Sequence, residues 1–122
     1  MRPFTVGGEV WRVVTVQSGD PRLTDRTGHE RLATTDPLTR SVYLNSALRP
    51  PLLDRVLLHE VAHAVTISHG LLTTLRSKLP TDTWVHAEEW SAQLMENYAL
   101  EAVRAASEAL GRPVCVRGIC WP

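Results

Sequence analysis

The chain is short of several things, and each shortage excludes a class of protein. It has no net charge: 13 basic residues balance 13 acidic ones over 122 positions, and the sequence pI is near 7.0. There is accordingly no electrostatic footprint for nucleic acid or an anionic membrane. No run of apolar residues approaches the 18 or so that a bilayer span requires. The opening "MRPFTVGGEVWRVV" carries no apolar h-region or small-residue cleavage pattern, so the expected location is the cytoplasm. No repeat, low-complexity tract or charge block divides the sequence. One domain over residues 1–122 is expected, with its core over about 9–110 and a C-terminal tail over 111–122.

Cysteine is scarce too. Cys115 and Cys120 are the only two, half the number a cysteine-only zinc site needs, with no histidine nearby. They read first as small apolar residues of a C-terminal strand or tail, and otherwise as a pair able to close a disulfide in an oxidising compartment.

What is present reads as strands followed by helices. "EVWRVVTV" (Glu9–Val16) is β-branched and aromatic, and "SGDP" ends it. "ERLATT" (Glu30–Thr35) predicts a short strand closed by "DP", and "RSVYLN" (Arg40–Asn45) a third. A helix should begin near Pro50 and Pro51 and stop near Gly70. It is apolar on almost every side, so a sheet and a second helix are expected to cover it. That second helix runs from about Trp84 to Leu110, where "GRP" stops it. Its predicted core stripe is Ala92, Met95, Ala99, Ala102, Val103, Ala106 and Leu110. Gln93, Asn97, Glu101, Arg104 and Glu108 form the opposite arc. The expected class is α+β, a small twisted sheet packed on the first helix.

Within the first helix lies "LLHEVAHAV", Leu57 to Val65. His59 and His63 are four residues apart and therefore share a face, where both imidazoles can reach one tetrahedral metal ion. Glu60 is turned by about 100° and is poorly placed to be a third ligand. It can reach a water at the open metal position instead. The ion lowers the pKa of that water and polarises a carbonyl, and the glutamate takes and returns the proton. The competing reading is two hydrogen-bonded core histidines beside an outward glutamate, which buries polar groups without a shared reason.

Two sources of a third protein ligand compete. "HEVAHAVTISH" has the spacing of H-E-x-x-H-x-x-G-x-x-H and offers His69, but Thr66 stands where the turn-forming glycine belongs. "HAEEW" offers Glu88 at the centre of the second helix's apolar stripe, a costly place for a carboxylate unless a cation meets it. Glu89 falls beside Gln93 and Glu96 on the polar arc. His86 and Tyr98 are weaker candidates for stabilising an oxyanion. His29 reads as a turn residue, and the four tryptophans as packing or rim residues. "SVYLN" is a candidate sheet edge for an extended substrate.

"SVYLN", "VLLHEVAHAV" and a downstream helix opening with "EEW" together resemble short gluzincin-type metallopeptidase domains of phages and bacterial mobile elements. The ImmA/IrrE-like and SprT-like peptidases are better-known relatives of that group. The likeness covers roughly Glu9 to Leu110. It implies a minimal zincin in which His59, His63 and Glu88 bind Zn2+ and Glu60 is the general base. The implied partner is a protein or peptide substrate, with no nucleic acid and no membrane. Many such relatives place Asp or Asn four residues beyond the acidic ligand, where this chain has Ala92. The alternatives are a non-catalytic zinc-stabilised interaction module, and a metzincin-like peptidase using His69.

Overall fold

In the computed structural model, the described residues are 1–25, 27–71 and 84–121, with the side chains of 84–93, 95 and 96 outside that set. Four strands form one sheet: β1 (Phe4–Val6), β2 (Glu9–Val16), β3 (Ala33–Asp36) and β4 (Ser41–Asn45). Their spatial order is β1-β2-β4-β3. β1 and β2 are antiparallel, β2 and β4 parallel, and β3 and β4 antiparallel. Two helices follow, α1 (Leu52–Ser68) and α2 (Trp84–Leu110), and then a hairpin of β5 (Val114–Val116) and β6 (Ile119–Trp121). The architecture is α+β. Among the described residues no helix is long and apolar enough to cross a membrane.

Both helices and β2 occupy the spans expected from periodicity. β3 starts three residues later than "ERLATT" suggests, because Arg31 N–H is held by the Leu23 carbonyl and Glu30 bridges to Thr24. β4 is not an edge. It lies between β2 and β3 and is buried over Ser41–Leu44, as a run with apolar residues on both faces should be. Val42 and Leu44 face the helices with Phe4, Val6 and Trp11. Tyr43 packs on the other face with Val16 and Leu23, beneath the Arg22 guanidinium. The edge strands are β3, on the side of β4, and β1 at the other end.

The core also reaches beyond residues 9–110 at both ends. Phe4, Val6 and Val114 are wholly buried in the main cluster, so β1 is a structural strand and the C-terminal segment is no loose tail. Its hairpin closes through Arg117 and Gly118, both at positive φ, the geometry of a two-residue type I′ turn. Cys115 and Cys120 face each other across it in a disulfide.

The buried stripe of α2 differs from the predicted one. Ala102, Ala105, Ala106 and Ala109 are buried, Val103 and Leu110 are partly so, and Ala99 is exposed. The helix is rotated toward its alanines because they permit close approach to α1 and β1. Glu101, assigned to the solvent arc, is half-buried and accepts the Gly7 N–H at 2.9 Å. Burial pushes its carboxyl pKa up, but that N–H, His69 and Arg104 outweigh it and hold the value below the usual range.

Gly7 sits where α1 ends. Its φ is +56°, and a Cβ there would lie 3.1 Å from Ser68 Cβ and 3.2 Å from the Ser68 carbonyl oxygen. Gly7→Ala therefore meets both backbone strain and overpacking, and should lower stability by about 1–3 kcal/mol. Urea unfolding with an unchanged m-value measures it; a variant as stable as the parent contradicts the close approach.

Candidate metal centre

Helix α1 is held at three places along its length, and the site lies on the exposed arc opposite the middle one. At its start, buried Asp54 accepts from both terminal nitrogens of Arg112, at 2.7 and 2.8 Å, and from the Cys115 N–H at 2.9 Å. At its end, the Trp11 indole N–H donates to Ser68 Oγ at 2.8 Å. Between them, Leu57, Val61, Ala64 and Val65 recur at helical spacing and are buried against the sheet and α2. The remaining arc, with His59, Ala62 and His63, is exposed. The sheet and α2 thus cover most of the helix, as expected, and leave open the arc that carries the histidines.

His59 and His63 lie one turn apart with their rings edge to face, centroids 4.9 Å apart. Their Nε2 atoms are 3.2 Å from each other. Two nitrogens bound to one tetrahedral zinc at ordinary bond lengths are separated by about 3.3 Å. The separation of the pair is therefore compatible with a shared ion. The His59 side chain is 70% exposed, whereas that of Glu60 is only 9% exposed.

Glu60 points the other way around the helix, toward the sheet edge. Its Oε1 accepts a hydrogen bond of 2.8 Å from Thr35 Oγ1 on β3. Its Oε2 lies 4.0 Å from His59 Nε2. One donor atom from each of the three residues falls within 4.8 Å of the others. As placed, the carboxylate stands back from the imidazole pair, and it would have to swing inward to share a tetrahedral ion with them. Glu60 is thus turned away from the imidazole pair, as its 100° offset predicts.

A cleft of about 740 Å³ opens beside this group, lined by Thr34, Thr35 and Asp36 of β3 together with Tyr43, His59 and Glu60. A second, of about 520 Å³, meets it at His59 and Glu60 and continues along Leu52, Arg55 and Val56. Fixed turns build the rim. Asp36 accepts from the Leu38 N–H and the Thr39 hydroxyl, and these hold its carboxyl below the usual range. Leu38 is left fully in solvent at the cleft mouth, 93% exposed. Asp25 ties Thr27, the His29 N–H and Arg31 into one loop, which places His29 in a turn.

His69 is elsewhere. α1 does not turn at Thr66, whose hydroxyl bonds back to the Ala62 carbonyl at 2.9 Å, and the helix continues to Ser68. His69 caps it, pairs with Glu101 Oε2 at 2.8 Å and leans on the Tyr98 ring, centroids 4.6 Å apart. Tyr98 is thereby a packing partner of His69. Glu88, Glu89 and His86 lie on the backbone of α2, and their side chains fall outside the described residues. Thr35 is the site residue that sequence reading does not single out; a lone threonine in a strand carries no signal of what lies across from it. No family model matches the chain, and no match was found among curated proteins or solved structures.

Proposed function

We propose that the chain is a zinc-dependent metallopeptidase, with His59 and His63 as metal ligands and Glu60 as general base. The observation that carries this reading is the 3.2 Å separation of the two Nε2 atoms, with a buried carboxylate set back beside them. A zinc ion held there would polarise a peptide carbonyl and make a bound water acidic near neutral pH. The imidazoles supply neutral nitrogen donors from one rigid helix face, so their spacing is set by the backbone. Glu60 Oε2 is the proton carrier, since Oε1 is already engaged by Thr35. The free edge of β3, with Thr34, Thr35 and Asp36 lining the cleft, offers main-chain hydrogen bonds to an extended peptide. The openness of the site at His59 favours catalysis over a closed structural zinc site.

Glu60→Gln preserves the Thr35 hydrogen bond and removes only the proton acceptor. It should keep stoichiometric zinc while hydrolysis of a fluorescently labelled unfolded protein falls by about 10²–10⁴-fold. Hydrolysis at the parental rate by this variant ends the proposed mechanism, and zinc binding without hydrolysis by the parent chain favours an interaction module.

A further inference from the structure

We infer that Thr35 is a positioning residue that keeps the Glu60 carboxylate off the metal. This rests on the metal reading of His59 and His63. Thr35 and Ala33 are two apart on β3 and share the face turned toward α1. Ala33 is buried in the core, and Thr35 follows it to the cleft floor. Its one hydroxyl proton has two acceptors in reach, Glu60 Oε1 at 2.8 Å and the Glu60 carbonyl at 3.4 Å. The shorter contact goes to the carboxylate, and a hydrogen bond to a charged acceptor is the stronger kind.

The need for such a restraint follows from the other oxygen. Glu60 Oε2 is 4.0 Å from His59 Nε2, and one rotamer change of a three-torsion side chain covers the difference between that and a ligand position. A carboxylate beside a divalent cation is attracted to it and, once coordinated, no longer accepts a proton freely. Among the described residues Thr35 is the only hydrogen-bond donor to this carboxylate. The edge strand thus separates the two roles a carboxylate can take at this centre.

The test uses the intact chain loaded with cobalt(II), whose visible d–d absorption reports coordination number and ligand type. Thr35→Val keeps the shape and strand preference of the residue and removes the hydroxyl. Its cobalt spectrum should shift as the freed carboxylate joins the ion, with cobalt affinity rising by about 10-fold. Thr35→Ser should restore the parental spectrum. The double variant Thr35→Val with Glu60→Gln should also lose the shift, because the incoming ligand is gone. A Thr35→Val spectrum and affinity identical to the parent's overturn the inference, as does a shift that persists without the Glu60 carboxylate. Failure of the parent chain to bind cobalt at all is a different result: it overturns the metal reading and this inference with it.

Discussion

His63→Ala is expected to weaken zinc binding by on the order of 10²–10³-fold, and His59→Ala by a similar factor. Zinc sites built from protein ligands bind with about 10–16 kcal/mol, so one ligand of three or four is worth about 3–4 kcal/mol. The two imidazoles are equivalent in this respect because each offers Nε2 from the same helix face. His69→Ala should leave affinity unchanged, since that ring is committed to Glu101 and Tyr98. Competition with a chromophoric chelator reads all three. Zinc affinity that falls with His69→Ala and survives His63→Ala would move the site to the end of the helix and require α1 to open at Thr66. The Glu88→Ala and Glu89→Ala variants belong in the same series, as Glu88 is the third ligand expected from the sequence and Glu89 is its neighbour.

The second large effect is on stability. Arg112→Ala should cost about 2–3 kcal/mol at neutral pH, less than the 3–5 kcal/mol of a fully buried pair, because Arg112 is 40% exposed and water can partly replace it. What it leaves behind is Asp54, with a side chain only 2% exposed. In the parent, the Arg112 hydrogen bonds hold the Asp54 carboxyl below its ordinary range despite burial, with the Cys115 N–H adding to them. A folded-state pKa below the unfolded value of ~3.9 contributes stability that is full above that value. The contribution is lost as pH falls through the depressed folded value. In Arg112→Ala the largest cause of the lowering is gone, so the folded carboxyl moves upward and the variant has less stability to lose as pH falls. The gap between parent and variant should therefore narrow steadily on acidification, as urea unfolding at a series of pH values will show. A gap independent of pH assigns the loss to packing of the arginine stem instead. The pair matters beyond stability because it fixes the start of the helix that carries the two histidines.

Much of the fold was legible because it is written locally. The β-branched and aromatic content of "EVWRVVTV" and the helical periodicity of Trp84–Leu110 placed these elements. The histidine spacing likewise dictated that two rings would meet on one face, with Glu60 offset from them around the helix. The short strands were harder. β1 has three residues, too few for a period, and its signal was the Gly7–Gly8 pair at positive φ. Arg117–Gly118 carried the same message for the last hairpin.

By itself, then, the sequence determined the two helices, the strands β2 and β4, the i/i+4 histidine pair and the direction in which Glu60 departs from it, since each depends on torsions and side chains within a turn or two. Only the tertiary structure decided that β4 lies inside the sheet and β3 at its edge. It also decided that Thr35 meets Glu60 across 25 residues and that Arg112 meets Asp54 across 58. Strand order and long-range polar partners depend on how separately formed elements pack, and no local period records that.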